Sequence, residues 1–167
     1  MDTTINIGDQ MPAGTFSVMT NDGPGTISAD EFFGGKRVLL FSVPGAFTPT
    51  CSMKHLPGYV RQADQLYANG IDTIACTAVN DIFVMDAWGK SQDATDKVLM
   101  LADGNGDYVA SLGLEQDNRR WGMGQRGQRF SIIANDGVVE QLNVEAPGEF
   151  NVSSCEYAID QTAGLKN

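Results

Sequence analysis

Cys51 stands where a thiol can become a nucleophile. Before it, Lys36-Arg37-Val38-Leu39-Leu40-Phe41-Ser42 is a short apolar run of the kind that forms a buried strand. After it, apolar residues at Met53, Leu56, Tyr59, Val60, Ala63 and Leu66 repeat at helical spacing. The thiol therefore falls where a strand has ended and a helix begins. Thr50 is the expected N-cap, and Thr48 and Pro49 confine the loop in front of it. Unpaired backbone N–H groups and the positive end of the helix dipole favour thiolate over thiol at such a place. Thr48 brings a hydroxyl that can donate to sulfur or accept from a protonated substrate oxygen. Pro44 and Phe47 can wall the pocket and limit water. The competing reading is a buried, inert thiol, the ordinary state of a single cysteine.

The spacing of Pro44, Thr48 and Cys51 weighs against that reading. Pro-x-x-x-Thr-x-x-Cys resembles the peroxiredoxin signature, and Pro44-Gly45-Ala46-Phe47-Thr48-Pro49-Thr50-Cys51-Ser52 is similar to its type II (peroxiredoxin 5-like) form. The resemblance continues through Lys54-His55-Leu56-Pro57-Gly58, Val79 to Met85, Leu101-Ala102-Asp103 and Arg126-Gly127-Gln128-Arg129-Phe130-Ser131. It implies cysteine-dependent reduction of hydrogen peroxide and organic hydroperoxides, through a sulfenic acid on Cys51. It also implies a catalytic arginine at Arg129, a thiol reductant (glutaredoxin/glutathione or thioredoxin), a dimer, and no cofactor or metal. A guanidinium stays charged at any working pH and can hold both sulfur and a peroxide oxygen. The Cys51 N–H can bind the polarised oxygen as an oxyanion hole does.

Two further cysteines are possible resolving thiols. Plant-like members of the group place one where Cys76 stands, and animal-like members place one close to Cys155. Cys76 lies inside the strand Thr73 to Val79, about 10 Å below its tip at ~3.3 Å per residue. Bridging it to Cys51 within the ~7 Å Cα limit of a disulfide requires unwinding the helix start. Cys155 falls in the first turn of a last helix, where Ser153-x-x-Glu156 reads as a capping box and the dipole should lower its pKa. It is narrowly preferred, with an external thiol such as glutathione as the alternative.

Other arrangements fit less well. His55, four residues after Cys51 on the same helix face, makes a Cys–His general-base pair conceivable, though a stabilised thiolate does not need one. Arg126 reads as structural. A zinc site from Cys51, Cys76, Cys155 and His55 matches no knuckle or finger spacing. Asp103-Gly104-Asn105-Gly106-Asp107 begins like a calcium loop, but Tyr108 and Leu114 occupy the positions that need glycine and glutamate. Gly122-Met123-Gly124-Gln125-Arg126-Gly127 spells a dinucleotide motif ahead of a strand instead of after one, so a mobile glycine loop is expected. A different class of function, a redox sensor or chaperone acting through Cys51 without sustained turnover, is the alternative to an enzyme.

The elements that must position these residues alternate. A glycine-rich start suggests an N-terminal hairpin (around 14–19 and 26–28) laid over a larger sheet. Strand 37–43, helix 51–69 kinked at Pro57, and strand 72–79 form a β-α-β unit. Asn80-Asp81 caps a helix from Ile82 to about Lys90, apolar almost all round, with one face expected on the core and one on a second subunit through 82–88. A strand from Val98, a short helix at 107–112 and a hairpin around Asn135-Asp136-Gly137 follow. Alternation puts Arg129, Ser131 and Ile133 on one face and Phe130, Ile132 and Ala134 on the other. The order points to one α/β domain over 1–167, a thioredoxin-like three-layer fold with an N-terminal β-hairpin extension.

Composition sets the outer bounds. The 167 residues suit a single core, and a net charge of −10 with pI near 4.3 argues against nucleic acid or an anionic membrane as partner. Three irregularly spaced cysteines suit a reducing compartment, and the chain reads as cytoplasmic.

Overall fold

A computed structural model describes residues 4–165. Its centre is β3 (Arg37–Ser42), whose side chains are buried on both faces: Leu39 and Phe41 on one, Val38 and Leu40 on the other. A strand apolar on both sides must be covered on both sides, and helices supply the cover. Strands β1 (Thr15–Thr20), β2 (Gly23–Ser28), β4 (Thr73–Ala78), β5 (Leu99–Ala102), β8 (Phe130–Asn135) and β9 (Val138–Val144) complete one seven-stranded sheet, ordered β2-β1-β5-β4-β3-β8-β9. Strands β3, β4 and β5 are parallel, and β8 returns antiparallel on β3.

Helices α2 (Leu56–Ala68), α3 (Ile82–Ser91) and α5 (Cys155–Thr162) are on one face, burying Leu56, Tyr59, Leu66, Met85 and Trp88 against Phe41, Ile74 and Ile133. Helices α1 (Ala29–Phe33) and α4 (Asp107–Leu112) cover the other, with Phe32, Val109 and Leu112 against Leu40, Phe130 and Ile132. Three layers result, as expected, and the β8 alternation falls as read. Each large side chain so buried stabilises by about 1.5–3 kcal/mol, and Leu66→Ala would cost about 2–5 kcal/mol. Asp136 and Gly137 take positive φ (49° and 80°) in the tight β8–β9 turn, as the Asn-Asp-Gly signal demands.

Several expectations are corrected. The N-terminal hairpin does not lie over the sheet; it extends it, because Ser17 bridges to Ala102 at the edge of β5. The glycine stretch 122–127 is not simply a loop. Gln125–Gly127 (β7) pairs with Glu115–Asp117 (β6) in a small two-stranded ribbon. The last helix is capped one residue later than read. Ser154 accepts from Tyr157 N–H, while the Ser153 hydroxyl donates to Glu145 and Glu156 accepts from Gln62. Helix α3 is capped by Asp81, as read, but Asn80 is used elsewhere.

The helix carrying Cys51 also differs from expectation. Its first intrahelical bond runs from Ser52 N–H to the Thr48 carbonyl, so Thr48 begins the helix. Thr50 is already helical (φ −63°, ψ −38°), with no capping bond from its side chain. Residues Cys51–His55 form a π-helical turn, closed by Leu56 N–H on the Cys51 carbonyl. Pro57 explains the widening, since in a regular α-helix its ring would press on the Met53 carbonyl four residues back. The irregularity lies before the proline, at the thiol itself.

Candidate active site

The register of β3 and β8 brings the candidate residues together. Ser42, the last residue of β3, pairs with Phe130, the first of β8. The loop 44–50 therefore leaves the sheet where Arg129 enters it, although 78 residues separate Arg129 from Cys51. Arg129 Nη2 donates to Cys51 Sγ at 3.1 Å. Cys51 is fully buried, and a half-buried guanidinium is the cation facing its sulfur.

Three contacts hold the loop around the thiol. The Thr48 hydroxyl donates to the Gly45 carbonyl at 2.7 Å, so its proton is committed and its lone pairs remain for a substrate O–H. Of the two roles expected for this hydroxyl, the acceptor role is the one the geometry leaves. Asn80 Oδ1 accepts from Ala46 N–H at 2.9 Å, tying the loop to the end of β4. Arg126, read as merely structural, donates through Nε to the Met123 carbonyl (2.8 Å) and through Nη1 to the Pro44 carbonyl (3.4 Å). A Cβ at position 45 would lie 3.1 Å from its Nη1 and 3.2 Å from Thr48 Cγ2, so a larger residue there would crowd both. Neither Asn80 nor Arg126 was identifiable from the sequence as supporting the site. Their only signal was membership of the stretches that carry the resemblance, which says nothing of what each one holds.

His55 is not a base for Cys51. Its ring is buried, with Nε2 3.0 Å from the Ser153 carbonyl and Nδ1 2.8 Å from Arg129 Nη1. Burial, then the adjacent Arg129 charge, pushes its pKa down to about 3, so the imidazole is neutral. The lone pair a general base would need is engaged by the arginine.

The other cysteines sit apart from the cleft. Cys76 lies mid-strand, beside Phe41 and fully buried, and burial followed by the nearby Cys51 sulfur raises its pKa well above the usual range. Cys155 packs under Gly58 of α2, 4.0 Å from where a Cβ there would lie. Burial, then Glu156, pushes its pKa up to about 12, overturning the expected lowering by the helix dipole. At this helix start burial and Glu156 outweigh the opposing charge of Arg61.

Beside Thr48 and Arg129 opens a cleft of about 970 Å³, walled by Pro44, Pro49, Trp121, Met123, Pro147 and Phe150. It is large enough for an organic hydroperoxide as well as hydrogen peroxide. Among the described residues, no cluster of three metal-ligating side chains is present. Asp103, head of the calcium-like stretch, instead accepts from the N–H groups of Tyr108 and Val109 and starts α4.

Residues 6–159 match the Redoxin family model. Peroxiredoxin-2B of Arabidopsis thaliana is 48% identical over 153 residues, spanning 91% of this chain and 94% of that protein. The chloroplastic Peroxiredoxin-2E of the same plant is 47% identical over 158 residues, 92% of this chain and 67% of its own length. The crystal structure of reduced Prx3 from Vibrio vulnificus in complex with H2O2 superposes with a TM-score of 0.92 at 49% identity, covering 95% of this chain and 99% of that one. A Pro44–Thr48–Cys51 loop closed by Arg129, on this fold and with these relatives, settles the family: the chain belongs to the type II peroxiredoxins, thiol-dependent peroxidases.

Proposed function

We propose that Cys51 is the residue this peroxidase oxidises, with Arg129, Thr48 and Pro44 completing the site. The observation that carries this reading is the 3.1 Å bond from Arg129 Nη2 to Cys51 Sγ beside an open cleft. The thiolate attacks the terminal peroxide oxygen; an S–O bond forms as the O–O bond breaks, and the alkoxide or hydroxide leaving group takes up a proton. Arg129 holds sulfur and the polarised oxygens, where donors aimed at developing charge are worth most. Thr48 accepts from the peroxide O–H and sets its line of approach. The Cys51 N–H, which precedes the first bond of the helix, adds a further donor. Pro44 forms a dry wall and presents the carbonyl that Arg126 holds.

We infer that an external thiol completes the cycle. Reduction of the sulfenic acid releases water and leaves a mixed disulfide, which a second thiol reduces back to the Cys51 thiol. Burial and a raised pKa make Cys155 and Cys76 poor internal partners, and a cleft of this size admits a small thiol peptide such as glutathione or a reductase loop. Free thiols throughout the described residues suit a cytoplasmic protein, a placement that cell fractionation checks. The outer face of α3 supports a homodimer, since Phe83 is 65% exposed. The test of the central reading is Cys51→Ser, expected to abolish thiol-dependent peroxide consumption while leaving the circular dichroism unchanged. Wild-type turnover in that variant would end the assignment.

A further inference from the structure

Hydrogen peroxide is met in full by Pro44, Thr48 and Arg129, and it has no use for the rest of a cleft of about 970 Å³. The remaining wall is apolar. It carries Trp121, an indole left 66% exposed, with Met123 and Pro147. An apolar wall with a few polar groups at fixed places is the usual make-up of a site for a carbon-bearing ligand.

The charged groups along this cleft are unevenly paired. Asp117 accepts from the Arg119 guanidinium at 2.7–3.1 Å, and Glu145 accepts from Ser153 and Asn151. Arg129 is committed to Cys51 and His55. Lys54 and Arg120 differ: both are exposed on the cleft, and among the described residues neither takes part in an ion pair. The Arg120 guanidinium carbon lies 4.5 Å from the Trp121 ring centroid, a stack that holds its donors beside the apolar wall. Lys54 follows Thr50 by four residues on the Cys51 helix, and both line the cleft. Glu149 is the carboxylate on this rim left loosely held, 3.5 Å from Asn151 Nδ2. In a chain of net charge −10, two open cations on one cleft reverse the local sign.

We propose that Lys54 and Arg120 form an anion subsite which, with the Trp121 wall, selects organic hydroperoxides carrying a carboxylate over neutral ones of the same length. This rests on the reading of Cys51 as the peroxide-reactive thiol. The Cys51 sulfur takes the terminal oxygen, an S–O bond forming as the O–O bond breaks, and the remainder takes up a proton and leaves as a hydroxy acid. The carboxylate is unchanged and serves as a handle. Glutathione also carries carboxylates, but its polar body gains little from an apolar wall, so the hydroperoxide is the better occupant.

The experiment compares ω-hydroperoxyoctanoic acid with its methyl ester at low ionic strength, each in excess over the fully reduced protein. The rate of Cys51 oxidation is followed by stopped-flow fluorescence, with thermal melting recorded for every variant. The readout is the ratio of the acid rate to the ester rate, so a general effect of a substitution on the thiol cancels. The wild type is expected to favour the acid by about 5- to 30-fold, the scale of two exposed charge pairs, and by less at high salt. Lys54→Gln and Arg120→Gln should each lower the ratio, the double variant should bring it to parity, and Lys54→Arg should keep most of it. Trp121→Ala should slow acid and ester alike. A wild-type ratio at parity, a preference that survives the double variant, or wild-type rates for both compounds in Trp121→Ala would overturn the subsite while the Cys51 reading stands. Should the double variant instead lose only the advantage of glutathione over its diethyl ester in reducing the Cys51 sulfenic acid, the cations serve the reductant and the proposal is wrong. If neither hydroperoxide oxidises Cys51, the underlying reading itself fails. Should Lys54→Gln not fold, Arg120→Gln, on a separate exposed turn, decides alone.

Discussion

The residues proposed for the site differ in how each is held. Cys51 and Thr48 are placed by local geometry, a loop turning into a helix within seven residues of β3. Arg129 is placed by strand register and arrives from the far end of the sequence. Removing its donors from the sulfur should therefore act on rate with little effect on fold. Arg129→Ala is expected to slow peroxide reduction about 10²–10³-fold, the usual loss for one charge-stabilising donor, as read by stopped-flow tryptophan fluorescence. Thr48→Val keeps the shape and removes the acceptor, so it should lower the rate while Thr48→Ser largely preserves it. For the other thiols the expectation is the reverse. Cys76→Ser and Cys155→Ser should retain turnover with glutathione-type reductants, and a 51–155 or 51–76 linkage accumulating in the wild type would contradict external resolution. That Pro44, Thr48, Cys51 and Arg129 would meet was legible in the sequence, because the stretches that carry them belong to one resemblance. The roles of His55, Asn80 and Arg126 were not, since each depends on which neighbour the tertiary fold delivers.

Among the elements, α3 was read correctly in kind and wrongly in detail. Its continuous apolar run suggested one face on the core and one on a second subunit, and the structure gives one buried face with Ile82, Met85 and Trp88. Phe83 is exposed and Val84 half-buried, and the exposed Phe47, at a positive φ of 62° in the loop before the thiol, has its ring centroid 6.5 Å from that of Trp88. Trp88, expected to touch a second subunit, is instead fully buried and donates through Nε1 to Ser52 Oγ at 2.9 Å. The two substitutions should therefore part company. Phe83→Glu is expected to shift the sedimenting species toward monomer with melting little changed, whereas Trp88→Glu should unfold the chain by burying an unpaired charge. A wild type that sediments as a monomer would leave Phe83 as ordinary exposed surface. The cap of α5 offers a smaller test at this scale: Ser154→Ala should cost about 1 kcal/mol and Ser153→Ala should disturb the Glu145 anchor instead. Periodicity locates a helix well but its ends poorly, because Ser153 and Ser154 are equally good caps until Glu145 claims one of them.

Across the whole molecule, buried titratable groups should set the pH range of stability. His55 takes up no proton in the fold until about pH 3, while the unfolded chain takes one up near 6.5. Stability is therefore full above 6.5 and falls as pH drops from 6.5 toward 3, with a slope approaching ~1.4 kcal/mol per pH unit for that proton. Burial alone would raise the Glu145 carboxyl. The Ser153 hydroxyl and the Ser153, Asn151 and Val152 N–H groups outweigh that and hold it below its usual 4.5, so its contribution too is lost on acidification. Cys155 acts on the alkaline side, where the unfolded thiol ionises near 9 and the folded one only near 12, so stability declines as pH rises through that interval. Urea midpoints across pH should show this plateau. His55→Asn is expected to flatten the limb between 6.5 and 3, and Cys155→Ser the limb above 9. The three-layer order was legible from alternating strands and helices, but the joining of the N-terminal hairpin to the sheet was not. That joining rests on the single Ser17–Ala102 bridge between distant segments, which no local pattern announces.

The most direct test of Cys51 as the peroxide-reactive thiol is the site of first oxidation. The fully reduced protein is treated with one equivalent of hydrogen peroxide in the presence of a sulfenic-acid trap, then digested and mapped by mass spectrometry. The expected result is the trap on Cys51 alone, with Cys76 and Cys155 recovered as free thiols. A trap on either of the other two cysteines, with Cys51 still a free thiol, would contradict the assignment.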